Sequence, residues 1–335
     1  SPLGKEFAVG YRSHTNKGVS RKQDKQQHIP MSILPEYIKK LFGTGRQATT
    51  KNVALVLSGG GARGYFHIGA IEVLQERGYN IVAVAGTSMG ALVGAAYANR
   101  KLNELKAFVT GLNKKQIANI ITPTMGLDHV ASDKNLIEIM KPLLGKTKIE
   151  DLPIPFVCCA SDIVSGTERV FQKGSLLTAV RASISIPCFF KPVSENNHIN
   201  IDGSIHNTLP LDRVVRQAGD LLVAINVNGS DTCPYNAYQK TEEEENGFLA
   251  NIRKRLPFHN VQFSANYLNM AIRVASLTIQ TNTQLAIKLT PPDICAELPM
   301  NAFSLFDFDK ATEIIACGRA EMERKLDEYE QKTKN

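Results

Sequence analysis

The spacing of apolar residues predicts two consecutive strand–loop–helix units in the first half of the chain. Residues 53–58 form a short apolar run rich in β-branched side chains, and after a glycine loop residues 68–74 carry apolar side chains at helical spacing. The strand signal returns at 81–85, a turn follows at 86–90, and 91–97 is apolar enough for a buried helix. Two such units in succession predict an α/β fold with a parallel sheet.

Further along the chain, the apolar patterns predict the elements that complete one large domain. The remaining predicted strands are 155–160, 168–171, 221–227 and 285–289. The remaining predicted helices are 102–121, 133–144, 175–185, 260–280 and 309–331. We expect the last of these helices to be charged and solvent-facing. Pro187 is expected to end the helix that begins at residue 175.

The segment 229–259 differs from the rest of the chain in composition, because it has few apolar positions and contains four consecutive glutamates. It is predicted to be an exposed insertion. The opening residues lack periodicity, and the stretch before Met31 resembles an expression-vector leader. The predicted parts of the chain are an N-terminal arm at 1–50, a core at 51–228, the insertion at 229–260 and a C-terminal completion of the same domain at 261–335.

The net charge of +7 is concentrated near the N-terminus and does not indicate a nucleic-acid partner. Residues 1–50 contain nine Lys and Arg against three Asp and Glu, a balance of +6 that leaves +1 for the rest of the chain. A basic patch on the folded body is the expected footprint of a nucleic-acid-binding protein. We therefore expect no nucleic-acid partner.

Several features of the sequence predict a cytoplasmic protein. The six cysteines lack the paired spacings of a zinc site or of a small disulfide scaffold. No charged segment followed by an apolar block marks a secretory signal at the N-terminus. Residues 81–98 are uncharged and long enough to be considered as a membrane span, but glycines interrupt them. A buried strand, a turn and a buried helix explain this segment better.

The loop between the first strand and its helix is rich in glycine. Its chemically relevant members are Gly59, Gly60, Gly61, Arg63 and Gly64. Backbone N–H groups in such a loop can converge on an anion near the positive end of the following helix. The glycine spacing also matches a dinucleotide-binding fingerprint, but the second strand does not end at the acidic residue that would hold a ribose. A nucleotide-binding enzyme is therefore only the third interpretation of the chain.

A G-x-S-x-G motif follows the second strand and precedes a helix, as a nucleophile elbow requires. The flanking Gly86 and Gly90 allow the tight turn that exposes the hydroxyl of Ser88 at the N-terminus of the helix. The N–H group of Met89 and those of the glycine loop can then stabilise a tetrahedral oxyanion. An inert serine in a tight turn is the alternative, and the neighbouring glycine loop argues against it.

A serine nucleophile needs a base, because its hydroxyl reacts poorly near neutral pH. Asp202 ends a predicted strand just before a glycine turn, and a carboxylate at that edge can act as the base without an imidazole. The order serine, acid, histidine of an α/β-hydrolase is also met by Asp202 followed by His206 or His259. Asp162 is a second carboxylate, at a position that suits turn capping. His67, directly after the glycine loop, is expected to be a packed residue.

Four blocks of the sequence, in order and spacing, resemble those of patatin-like phospholipases. They are the glycine loop, the elbow around Ser88, the segment 182–187, and the dipeptide of Asp202 and Gly203. The resemblance covers approximately residues 52–227, and the later run 306–311 is similar to the bacterial branch related to neuropathy target esterase. It implies a patatin-like three-layer α/β/α sandwich with a mostly parallel central sheet and a nucleophile elbow.

The resemblance implies a catalytic dyad of Ser88 and Asp202, without a histidine, a metal ion or an organic cofactor. It assigns the glycine loop with Arg63 and Met89 to an oxyanion hole, where Arg63 braces the loop and adds its positive field. The motif glycines would be Gly64, Gly86, Gly90 and Gly203. Two residues depart from the pattern, since Ser58 stands where plant members carry Asp, and Ser204 where Gly or Ala is usual. Both departures bear on substrate preference.

The implied activity is hydrolysis of ester bonds in phospholipids, lysophospholipids or related acyl lipids, through a covalent acyl-enzyme on Ser88. An acyltransferase that uses the same serine is one alternative. A non-catalytic lipid-binding regulator with the same fold is another. Such a regulator is expected to lack Ser88, Asp202 or the glycine loop, all of which are present.

Two amphipathic segments are candidates for contact with a membrane. In 248–258 apolar side chains flank the cationic residues 253–255, and a weaker pattern of the same kind occupies 37–42. Such an element can lie at a lipid interface. A surface helix packed on the domain is the alternative for the first segment. For a lipid substrate, we expect a cytoplasmic protein with peripheral contact at the inner membrane face.

Overall fold

A computed structural model describes residues 51–113, 115–117, 133–187, 189–232 and 265–334. The predicted arm at 1–50 and both candidate membrane-contact segments lie outside these residues. The predicted division of the chain into four parts therefore stays a prediction. Within the described ranges, no helix has both the length and the apolar character needed to cross a bilayer.

The centre of the described structure is one mixed sheet of eight strands. The strands are β1 (Lys51–Leu57), β2 (Tyr79–Thr87), β3 (Phe156–Asp162), β4 (Thr167–Phe171), β5 (Val193–Glu195), β6 (His198–Asp202), β7 (Leu221–Gly229) and β8 (Ile294–Pro299). The order along the sheet is β5-β6-β3-β2-β1-β7-β8, and β4 pairs with β3 outside this path. The neighbouring strands β3, β2, β1, β7 and β8 pair parallel. Strands β4 and β6 pair antiparallel with β3, and β5 pairs antiparallel with β6.

Helices cover both faces of the sheet. They are α1 (Phe66–Glu76), α2 (Met89–Ala98), α3 (Leu102–Gly111), α4 (Asp133–Leu144), α5 (Leu176–Ser183), α6 (Ala265–Leu289) and α7 (Ala311–Lys334). The larger apolar core joins one sheet face to all of these helices except α6, and the smaller core joins the other face to α6. The predicted mostly parallel sheet with helices on both sides is confirmed.

The structure corrects the predicted elements near residue 290. Residues 285–289 were predicted to be a strand, but they form the last turn and a half of α6, where Ala286 and Ile287 pack against the smaller core. A short apolar run does not distinguish a strand from a buried helix by its period alone. The edge strand is β8 instead, and its alternating burial follows the period of two that a half-buried strand shows.

Two predicted helices also differ from the structure. The helix predicted at 102–121 ends at Gly111, because the following Leu112 has an extended backbone. Residues 118–132 lie outside the description. The prediction that the last helix faces solvent is wrong for one side of α7, where Ile314, Ile315 and Met322 are buried in the larger core.

The close contact between α1 and α7 depends on a glycine in each helix. A Cβ atom added to Gly69 would lie 2.0 Å from the carbonyl oxygen of Ile315, and one added to Gly318 would lie 2.0 Å from the carbonyl oxygen of Phe66. These distances are too short for any side chain, and the atoms in the way belong to the backbone. The two helix backbones can therefore approach this closely only when both positions are glycine.

We expect Gly318→Ala to destabilise the protein, because the new methyl group forces α7 away from α1. Overpacking of this kind costs about 1–3 kcal/mol, and each kcal/mol lowers the Tm by roughly 1–2 °C in a chain of more than 300 residues. Gly111→Ala is the matched control, since a Cβ atom there meets nothing within 4 Å. Thermal unfolding of the two variants measures the difference, and equal Tm values would contradict the proposed role of the glycine contact.

Candidate active site

The register of the central strands brings Ser88 and Asp202 together. Thr87, the last residue of β2, pairs with Cys159 on β3, and the next residue of β3 pairs with Asp202 on β6. The Ser88 hydroxyl and the Asp202 carboxylate therefore meet across the end of β3. The Oγ atom of Ser88 donates a hydrogen bond to Oδ2 of Asp202 at 2.5 Å, and both side chains are buried.

The backbone at Ser88 has the strained geometry of a nucleophile elbow. Its φ of 54° and ψ of −124° lie in a region that a residue with a side chain rarely adopts, at a cost of about 1–3 kcal/mol. The turn is tight on both sides, since a Cβ atom on Gly86 would lie 2.5 Å from the Gly90 carbonyl oxygen. One on Gly90 would lie 2.4 Å from the Leu57 carbonyl oxygen. The two glycines let β2 turn directly into α2.

Ser183, at the end of α5, anchors the backbone of the elbow through hydrogen bonds. The backbone N–H of Ser88 donates to the Ser183 Oγ atom at 2.9 Å, and the Ser183 hydroxyl donates to the Cys159 carbonyl at 2.6 Å. The elbow is thus hydrogen-bonded through Ser183 to the central strand. The sequence marked this residue only as part of the block 182–187, and no local signal indicated that its hydroxyl would serve Ser88.

Both carboxylate oxygens of Asp202 accept hydrogen bonds inside the protein. Oδ2 accepts from the Ser88 hydroxyl, and Oδ1 accepts from the Ser204 backbone N–H at 2.8 Å. Burial raises the pKa of Asp202 above the usual value of an aspartate. Hydrogen bonds from Ser88 and from the backbone and side chain of Ser204 oppose the rise. The result is a more basic carboxylate held against the serine hydroxyl.

The glycine loop approaches Ser88 from the end of β1, and its backbone groups have different partners. The N–H of Gly59 donates to the Thr208 carbonyl at 3.0 Å, so Gly59 fastens the loop and is not one of the proposed oxyanion donors. Gly61 is the first residue of a 3-10 helix, and Met89 is the first residue of α2. The first N–H groups of a helix have no acceptor within that helix. Gly61 and Met89, with Gly60 just before the 3-10 helix, therefore stay the predicted candidates for oxyanion donors.

Arg63 is buried behind the loop and braces it. Its Nη1 donates to the Met300 carbonyl at 2.8 Å, and its Nη2 donates to the Asn228 side-chain oxygen at 3.1 Å. The amide of Asn228 in turn donates to the Gly59 carbonyl at 2.8 Å. Burial lowers the pKa of Arg63 to about 10, so the guanidinium stays charged at neutral pH. No local pattern indicated that Asn228 would complete this brace.

The remaining motif glycines lie where neighbouring groups leave no room for a side chain. A Cβ atom on Gly64 would lie 2.2 Å from the Met89 side chain, and one on Gly203 would lie 2.3 Å from the Cys159 carbonyl oxygen. Gly64 lets α1 begin beside the elbow. Gly203 lets the turn after Asp202 pass close to β3.

The other candidate acids and bases have structural partners. The buried His67 donates from Nε2 to the Ser58 carbonyl at 2.8 Å, and burial lowers its pKa to about 4. Asp162 accepts from two backbone N–H groups, from Ser165 and from His198 at the turn between β3 and β4. His206 donates to the Gly166 carbonyl on that same turn. His259 lies outside the described residues.

An apolar cavity of about 100 Å³ extends from Ser88 into the larger core. Its walls come from α2, α3, α4 and the segment after α5, and include Leu92, Val109, Met140 and Phe190. Among the described residues that line it, none carries a charge. A flexible hydrocarbon chain is the chemical group that such walls hold best.

The chain is similar to several known proteins. Residues 55–215 match the family model of patatin-like phospholipases. The chain is 37% identical over 189 residues to an uncharacterized NTE family protein of Mycobacterium tuberculosis, a match that covers 56% of this chain and 52% of that protein. It is 29% identical over 280 residues to Lysophospholipase NTE1 of Coccidioides immitis, covering 82% of this chain and 17% of that protein.

Among solved structures, the comparison finds that of VipD from Legionella pneumophila. Its TM-score is 0.43 at 15% sequence identity, over 84% of this chain and 67% of that chain. The present chain spans about half the length of the mycobacterial relative and a smaller share of the fungal one.

We expect Ser204→Ala to shift the reactivity of Ser88 to higher pH. The Ser204 hydroxyl stabilises the ionised Asp202, so its removal raises the pKa of Asp202 further. A carboxylate that accepts the Ser88 proton must be ionised, so a higher pKa of Asp202 would make the rate fall at a higher pH in the variant than in the parent. The rate of Ser88 modification by a fluorophosphonate, measured across pH, reports this shift in the acid limb.

Ser165→Ala is the matched control for this measurement. It removes a hydroxyl that donates to a different carboxylate, that of Asp162, at 2.7 Å. Its acid limb should coincide with that of the parent. An unmoved acid limb in Ser204→Ala would show that the Ser204 hydroxyl does not tune the base.

Proposed function

Because residues 55–215 match the family model of patatin-like phospholipases, we propose that the chain is a serine acyl hydrolase that cleaves fatty-acyl esters of phospholipids or lysophospholipids. The observation that carries the proposal is the 2.5 Å hydrogen bond from Ser88 to the buried Asp202, at a strained elbow beside an apolar cavity. The pair acts as a catalytic dyad, and the hydrocarbon chain of the substrate occupies the cavity.

The first half of the reaction transfers the acyl group to Ser88. Asp202 takes the hydroxyl proton while Oγ attacks the ester carbonyl carbon, and the carbonyl electron pair moves onto oxygen. The tetrahedral intermediate then expels the alcohol of the lipid backbone, which receives the proton from Asp202. The raised pKa of Asp202 suits this exchange, since a more basic carboxylate accepts the serine proton more readily.

The oxyanion of the intermediate is held by the N–H groups of Gly60, Gly61 and Met89. Losing one such donor typically costs about 3 kcal/mol of barrier stabilisation. Arg63 contributes through its position and its positive electrostatic field, because it lies next to the loop. Its Nε is 3.7 Å from the point that a Cβ atom on Gly60 would occupy. Its two other hydrogen bonds keep the loop in place.

The second half of the reaction releases the fatty acid. Water attacks the acyl-enzyme carbonyl, Asp202 accepts the water proton, and Ser88 leaves and regains its hydrogen. Similarity to a protein named lysophospholipase supports a lipid ester as substrate. The apolar walls around Leu92 and Met140 support a hydrocarbon acyl group rather than a short polar one.

Covalent labelling tests the dyad. We expect a fluorophosphonate probe to label the parent protein, to fail on Ser88→Ala, and to react at least about 100-fold more slowly with Asp202→Asn, because the general base is lost. His206→Ala is the control, since His206 bonds to the Gly166 carbonyl and should keep the parent rate. Loss of labelling in His206→Ala, or full labelling of Asp202→Asn, would contradict the dyad.

Thermal unfolding shows whether Asp202→Asn remains folded. The folded-state pKa of Asp202 lies above the unfolded value of about 4, so the ionised carboxylate destabilises the folded protein once the pH exceeds both values. The neutral amide removes that cost. The Tm of the variant at neutral pH should therefore not fall below the parent value, and a lower Tm would contradict this expectation.

Product analysis tests hydrolysis against transfer. The parent protein, given a lysophospholipid, should release free fatty acid and a deacylated head-group product. Ser88→Ala should release neither. Accumulation of a diacyl phospholipid from two lysophospholipid molecules would instead identify an acyltransferase that uses the same acyl-enzyme.

A further inference from the structure

A second cavity lies directly beyond the apolar cavity, between α3 and α4. Its volume is about 540 Å³, against about 100 Å³ for the cavity at Ser88. The two cavities share four wall residues, which we call the partition. The partition consists of Phe108, Leu112, Ile139 and Leu143. These apolar side chains lie between the cavity at Ser88, which we call the inner cavity, and the second cavity, which we call the outer cavity.

The outer cavity differs from the inner one in its chemistry. Its far wall carries polar and acidic side chains, namely Glu104, Gln116, Asn135 and Glu138. A lipid phosphate is disfavoured beside two carboxylates, because like charges repel. The methyl end of a hydrocarbon chain can instead lie against the apolar side of this cavity, which the partition and Pro142 form.

We infer that the partition sets the length of the acyl chain that the enzyme accepts, and that the outer cavity holds the end of a long chain. This inference rests on the proposed function, because it concerns the acyl group bound at Ser88. Short chains end within the inner cavity. Long chains pass the partition only where its side chains give way, and their distal methylenes then lie between α3 and α4.

Phe108 is the member of the partition best placed to control passage. It lies in the last turn of α3 and is 36% exposed, whereas Leu143 on α4 is only 5% exposed. A side chain with a free outer face can change rotamer, while one enclosed on all sides cannot without repacking its neighbours. The size of residue 108 should therefore decide how easily a chain reaches the outer cavity.

A chain-length series tests the inference. The ratio of kcat/KM for p-nitrophenyl palmitate to that for the butyrate should rise at least about tenfold in Phe108→Ala, because several methylenes gain a place to bind. Phe108→Trp should move the ratio in the opposite direction. Phe171→Ala is the matched control, since Phe171 on β4 lines neither of the two cavities and should leave the ratio unchanged.

A binding measurement separates this inference from the proposed function. Fatty acids of increasing length, below their micelle concentrations, are titrated against Ser88→Ala and against Ser88→Ala with Phe108→Ala. Tighter binding of long acids in the second protein alone would support the partition even if the parent hydrolysed no ester. An identical length dependence in the two proteins, or equal hydrolysis ratios in Phe108→Ala and the parent, would overturn the inference.

Discussion

The structure around the proposed active site depends on one constraint, the burial of the Asp202 carboxyl group beside the Ser88 hydroxyl. Removing a carboxylate from water is costly unless hydrogen bonds replace its hydration. Asp202 obtains these bonds from Ser88 and Ser204, which are brought to it by the register of β2, β3 and β6. An error of one residue in that register would turn the side chains to opposite faces of the sheet.

The strained backbone at Ser88 is held by groups that belong to distant parts of the chain. Ser183 accepts a hydrogen bond from the Ser88 N–H and donates one to a backbone carbonyl of β3. Gly90 lets α2 pack against the end of β1. On the other side, Asn228 and Arg63 fix the glycine loop. These contacts offset the cost of the strained residue and keep its hydroxyl directed at Asp202.

The sequence predicted the parts of the site that local patterns encode. Gly86, Ser88 and Gly90 form a contiguous motif, and Asp202 stands at a strand end before a glycine, so the elbow and the base candidate could be identified. The Gly59 N–H could not be assigned, because its acceptor on Thr208 is about 150 positions away and only the folded chain brings it near. For the same reason, the sequence did not indicate the partition between α3 and α4 or the helical state of 285–289, since both are decided by tertiary packing.

The contact between α1 and α7 has a consequence for how the protein is made. Arg319 on α7 bonds to Glu72 on α1, 247 positions earlier, and the helices touch through Gly69 and Gly318. Contacts of such sequence separation form late, because a long loop must close first. During synthesis, the face of α1 that packs on α7 therefore has no partner until α7 has been translated.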